Sequence, residues 1–125
     1  MATEFLVKLP DRPGQLASLA GALGKAKVQI RALSASKGSV GFLVAEKDAA
    51  KARRALKAAK LRSSERSAIE MTLKDRPGSL ASAATRFGKK KVNIASVYVL
   101  APGRGNVRVG FGVKNARAAK KALGR

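Results

Sequence analysis

The feature that most constrains this chain is that it repeats itself. Leu9-Pro-Asp-Arg-Pro-Gly-Gln-Leu-Ala-Ser18 returns as Leu73-Lys-Asp-Arg-Pro-Gly-Ser-Leu-Ala-Ser82, and the ungapped match carried to Ile30 and Ile94 holds 14 identities in 22 positions. Gly41-Phe42 corresponds to Gly110-Phe111 after a five-residue insertion, Ala101-Pro-Gly-Arg-Gly105, and residues 48–56 then correspond to 115–123. A fold for this chain must therefore be built twice in 125 residues. The reading is two tandem domains, 1–64 and 65–125, without a low-complexity linker.

Each copy reads as strand, helix, strand, strand, helix. Residues 5–9 and 69–73 are short β-prone runs that end at a Pro/Gly turn. Leu16, Leu19, Ala20 and Leu23 then fall at helical spacing, as do Leu80, Ala83, Ala84 and Phe87. Strand character returns over 28–33 and 92–100, and again over 40–45 and 107–113, across Gly-containing turns. Asp48 and Asn115 are expected to cap the second helices. A last strand for the first copy falls near 61–67 and runs straight into Ala68, whereas the second copy has no residues left for one. This order predicts an α+β fold of ferredoxin-like βαββαβ repeats, an antiparallel sheet with helices on one face, the second repeat lacking its last strand. The missing strand is expected to leave the opening strand of the second repeat as an exposed edge, and hence to favour a homodimer or strand exchange at that edge.

Composition removes several kinds of chemistry. The absence of Cys excludes disulfides and thiolate sites, and the absence of His removes the commonest general base and metal ligand. The seven acidic residues form no close pair except Glu46 and Asp48, so no catalytic residue, metal or cofactor is expected, and the chain reads as no enzyme. No apolar run approaches the roughly 20 residues of a membrane span, and the amino terminus does not read as a signal peptide; a cytoplasmic protein is expected.

The repeated turns carry the functional reading. Asp11-Arg-Pro-Gly14 and Asp75-Arg-Pro-Gly78 stand where a strand hands over to a helix. Pro, Asp and Gly are good punctuation there, but the amides at the head of a helix also attract an anion, and Asp beside them can hold an ammonium. An α-amino acid carries both charges on one carbon. A strand followed by Asp-Arg-Pro-Gly-x-Leu at the head of a helix, and then by Val-Asn-Ile at 92–94, resembles the ACT domain, over nearly the whole chain and twice. The resemblance implies a regulatory protein that binds a small amino acid between modules packed side by side, and a metabolic enzyme as partner. It implies one site of Asp11, Arg12, Gly14 and Leu16 with Asn93, and a twin of Asp75, Arg76, Gly78 and Leu80 with Gln29. Gln29 replaces the usual Asn and lengthens that side chain by a methylene. Lys27 and Lys91 stand where the family commonly has Gly.

The alternative comes from charge. With 27 Lys and Arg against 7 Asp and Glu, the net charge is +20, which makes an anionic partner worth weighing. Both halves are similarly basic, and the second helices (Lys51, Arg53, Arg54, Lys57 and Lys60, then Arg117, Lys120, Lys121) read as solvated faces. Val107-Arg-Val-Gly-Phe-Gly-Val113 loosely resembles the third strand of RNA recognition modules, which share this topology, but Tyr98 is the one Tyr and there is no Trp, so stacking surfaces are scarce. A basic nucleic-acid or polyanion binding module is accordingly the second reading, and the amino-acid sensor is favoured.

Overall fold

The computed structural model describes residues 1–124. It divides into two compact units, 3–65 in one and 66 onward with residues 1–2 in the other. The first carries β1 (Ala2–Lys8), α1 (Gln15–Lys25), β2 (Ala32–Ser36), β3 (Ser39–Ala45) and, after one 3-10 turn, α2 (Ala49–Ala58). β4 (Ser63–Lys74) begins there and continues into the second unit, which holds α3 (Ser79–Lys89), β5 (Ile94–Pro102), β6 (Asn106–Val113) and α4 (Ala116–Ala122). The strand order is β2-β3-β1 in the first half and β4-β6-β5 in the second. The predicted α+β, ferredoxin-like architecture is therefore present.

Each unit closes its own core with helices against one sheet face. In the first, Phe5 and Val7 of β1 and Val40, Phe42 and Val44 of β3 alternate inward and meet Leu19 and Leu23 of α1 and Ala52 and Leu56 of α2. The Phe5 and Phe42 rings stack at 5.4 Å. In the second, Ile69, Met71, Val109, Phe111 and Val113 meet Ala83 and Phe87 of α3 and Ala119 and Ala122 of α4, with Phe87 and Phe111 tilted at 5.3 Å. Burying one such ring contributes on the order of 2–3 kcal/mol. The alanines explain how short helices settle close to the sheet.

Three expectations are corrected by the structure. The opening strand of the second half is not an exposed edge, because Ala68, Ile69, Glu70 and Met71 are all buried in succession. β2 starts at Ala32 and not at 28, because the helix-ending turn and the extended residues after it make a single ladder bond, Arg31 N to the Leu43 carbonyl at 2.8 Å. Asp48 makes no side-chain cap bond; it lies buried, its carboxylate 3.5 Å from Lys51 Nζ. Asn115 does cap α4, its Oδ1 accepting from the Ala118 amide at 3.0 Å.

Left-handed residues set the ends of the helices. Gly14 (φ 87°) and Gly78 (φ 90°) precede α1 and α3, and a Cβ added at either would meet nothing within 4 Å. Glycine is needed there for its backbone and not for space. Lys27 (φ 63°), Lys60 (φ 60°) and Lys91 (φ 57°) follow α1, α2 and α3 in the same conformation. Each closes a double-bonded helix end: at Lys91, its amide bonds the Gly88 carbonyl at 3.0 Å and the Val92 amide reaches back to Phe87 at 2.9 Å. The apolar pair that seals such an end, Val28 with Leu23, Leu61 with Leu56, or Val92 with Phe87, holds the lysine against its own preference.

Across the surface of the first unit, the Arg53 guanidinium grips Glu65 at 2.6 and 2.7 Å. The hydrogen bond from Arg53 holds the Glu65 carboxyl below its ordinary value of 4.5, partial burial opposing it.

Two sets of outcomes test this account. Gly78→Ala costs about 1 kcal/mol or more, since the left-handed region is strained for a residue with a Cβ, whereas Lys91→Gly stabilises by about 1 kcal/mol, both read as shifts of the urea midpoint at constant slope. A carboxyl lowered on folding contributes stability that is present above its unfolded value and lost as pH falls through its folded value. Glu65→Gln therefore shows a smaller loss of stability than the parent on acidification below about pH 4.5, and the difference shrinks in high salt. Equal acid limbs for the two proteins contradict the assignment.

Candidate functional site

The Asp-Arg-Pro-Gly turn is built the same way twice. Pro10 O accepts from the Arg12 amide at 2.9 Å, forming a tight turn around Asp11; Lys74 O accepts from Arg76 at 2.9 Å around Asp75. The Gln15 and Ser79 amides then bond the Arg12 and Arg76 carbonyls, each at 3.3 Å, and the Gly14 and Gly78 carbonyls take the first helical bonds from Ser18 and Ser82. Neither helix has a side-chain cap or an acidic residue in its first turn. The positive end of each helix is thus left for something outside the helix to satisfy.

Asp11, Arg12, Asp75 and Arg76 are exposed and make no ion pair among the described residues. Leu16 and Leu80, one turn into their helices, point away from the cores at 45% and 51% exposure. In the second unit these groups border a shallow cleft of about 170 Å³. Asp75, Arg76, Ser79 and Leu80 line one side, Val97 and Val99 of β5 the other, with Leu73, Val107 and Val109 beneath. Polar groups of both signs stand at its rim and its walls are aliphatic.

The remaining candidates sit apart from the turn of their own unit. Gln29 and Asn93 are exposed on the segments between the left-handed lysines and β2 or β5. Gln29 donates from Nε2 to the Ile30 carbonyl at 3.1 Å. Asn93 precedes β5 directly and does not line the cleft. Sequence reasoning missed Val97, Val99 and Ser79 as cleft walls; strand alternation after Ile94 carried that signal. It also missed a tether: the Asp75 amide donates to the Gly105 carbonyl at 3.0 Å, which fastens the turn to the inserted β5–β6 hairpin. In the first unit the matching tether joins Leu9 to Gly38 at 3.2 Å, two residues before Asp11. The insertion in the repeat alignment was its sign.

Other chemistry finds little purchase. Among the described residues no group of three or more acidic side chains is placed to hold a metal. Phe5, Phe42, Phe87 and Phe111 are fully buried and Tyr98 nearly so, leaving no aromatic platform on which bases could stack. Among the described residues no helix is long and apolar enough to cross a membrane.

Comparison with known proteins agrees with this geometry. Residues 7–59 match the family model of the ACT domain. No curated protein sequence matches the chain. Among solved structures, a Bacteroides thetaiotaomicron protein designated BT0572 is similar over 98% of this chain and 85% of its own, at 22% identity and a TM-score of 0.78. The ligand-free regulatory subunit of aspartate kinase from Thermus thermophilus aligns over 98% of this chain and 89% of its own, at 20% identity and a TM-score of 0.70. Escherichia coli aspartokinase III, in complex with lysine and aspartate, shares 13% identity at a TM-score of 0.62, and the chain spans 30% of it. The first repeat is thus similar to the ACT domain, and the second repeat rebuilds the same turn.

Proposed function

We propose that this chain is a non-catalytic regulatory protein that binds a small amino acid at its Asp-Arg-Pro-Gly turns. The observation that carries the reading is the duplicated turn itself, an exposed carboxylate beside an uncapped helix start. Asp11 or Asp75 takes the ammonium, and the backbone amides at Gly14 or Gly78 and the residues after them take the carboxylate. The cleft beside Asp75 is smaller than the roughly 300–1,000 Å³ typical of drug-sized ligands, which suits a single amino acid. Its walls of Leu80, Val97 and Val99 favour an aliphatic side chain.

The strand-opening amides of Asn93 and Gln29 are further contacts for the bound amino acid, and the extra methylene of Gln29 makes it the weaker of the two. The protein assembles as a homodimer, and it acts on a metabolic enzyme as a separate regulatory component. The regulatory subunits of aspartate kinase among its structural neighbours support that role.

The test is thermal unfolding against the twenty amino acids. Saturation at 100 times the dissociation constant stabilises by about 2.7 kcal/mol, so a selective shift for one or two aliphatic amino acids is expected at millimolar concentration. The double variant Asp11→Asn/Asp75→Asn is expected to lose the shift while unfolding at the same temperature as the parent without ligand. No shift with any amino acid, in protein that light scattering shows to be dimeric, overturns the proposal.

A further inference from the structure

We propose that the α3–α4 side of the second unit is a docking surface for the phosphate backbone of nucleic acid, a role separate from the amino-acid reading and independent of it. Composition makes the two halves look alike in charge; the structure does not. In the first unit the helix face carries its own acids. Asp48 lies 3.5 Å from Lys51 Nζ, Glu65 is gripped by Arg53, and Lys51 also donates to the Lys27 carbonyl at 3.0 Å, so the head of α2 is neutralised where it meets the end of α1. In the second unit the residue matching Asp48 is the uncharged Asn115, and the residue matching Glu46 is the buried Val113.

Lys89, Lys90 and Lys91 end α3, and Arg117, Lys120 and Lys121 lie on α4, which packs against α3; all six are exposed. Among the described residues none of the six has a carboxylate partner. Of the acids of this unit, Glu70 is buried in β4 with Arg108 at 3.1 Å. Asp75 stands before the opposite end of α3, whose 11 residues span roughly 16 Å, beyond the screening length of about 8 Å in physiological salt. Six exposed cations on two packed helices, without a carboxylate partner among the described residues, match a chain of phosphates better than a single carboxylate.

The rest of the unit's surface narrows the polyanion. A membrane-surface helix needs apolar side chains beside its cations, whereas the exposed apolar residues of this unit, Leu80, Val97 and Val99, line the cleft at the start of α3. With every Phe buried, base stacking is closed to the surface, so recognition rests on the backbone and is indifferent to sequence.

The experiment is fluorescence anisotropy of the full chain with a labelled 20-base-pair DNA duplex at 50 and 200 mM salt. With about five phosphate contacts, affinity is expected to fall by about 10²- to 10³-fold over that range and to be equal for a scrambled duplex. Lys89→Glu/Lys90→Glu/Lys120→Glu is expected to weaken binding at least about 30-fold and to flatten the salt slope by about three. A control with the same charge change on the first unit, Lys47→Glu/Arg54→Glu/Lys57→Glu, is expected to bind within about threefold of the parent. Circular dichroism verifies folding of both, and Lys→Gln at the same three positions replaces the reversal if it fails to fold. Equal loss in the two variants overturns the docking surface in favour of net charge alone. Absence of duplex binding at 50 mM salt, or binding only to phosphatidylglycerol vesicles, overturns the nucleic-acid partner.

Discussion

Each half of this chain closes around one pair of phenylalanine rings, Phe5 with Phe42 and Phe87 with Phe111, and the rest of the structure depends on that closure. A unit of about 60 residues has little apolar surface to bury, so its helices must sit close to the sheet and turn back sharply at both ends. Alanines at Ala52, Ala83 and Ala119 allow the approach. The left-handed glycines and lysines supply the turns. Where the core demands it, the backbone accepts lysine in a conformation that costs roughly 1–2 kcal/mol, which is evidence of how firmly the packing fixes the turn.

Much of this was legible in the sequence, because the repeat served as an internal control. Two copies of Asp-Arg-Pro-Gly separate a constrained turn from an accident, and the alternation in 40–45 and 107–113 marks strands with one buried face. What escaped was set by distance along the chain. Ala68 to Met71 read as a strand, but only tertiary packing shows it buried residue after residue. Asp48 and Asn115 occupy matching positions and look like equivalent caps; one turned to a lysine and the other to an amide. The aspartates, arginines and glycines of the candidate site were readable, whereas its aliphatic wall on β5 was not, since Val97 and Val99 are ordinary strand residues until the cleft gives them a neighbour.

Charge illustrates the same limit. Counting assigns nearly equal positive excess to both halves, and counting has no direction. The fold sets two of the first unit's acids, Asp48 and Glu65, against cations of α2 and hides one of the second unit's acids in a strand. Two modules of common design and common charge thereby present unlike fields to solvent.

The tether between the Asp75 amide and the Gly105 carbonyl has a consequence for how such a duplicated protein diverges. In the first unit the hairpin holds the chain two residues ahead of the aspartate and leaves that residue to follow its own turn. In the second, lengthening the hairpin moved the grip onto the aspartate itself. The hairpin tip becomes a lever whose position sets where a carboxylate stands, although the Asp, Arg, Pro and Gly of the turn are unchanged. Two recognition elements with the same letters can in this way be tuned apart by loop length alone, and a search confined to the motif would find them identical.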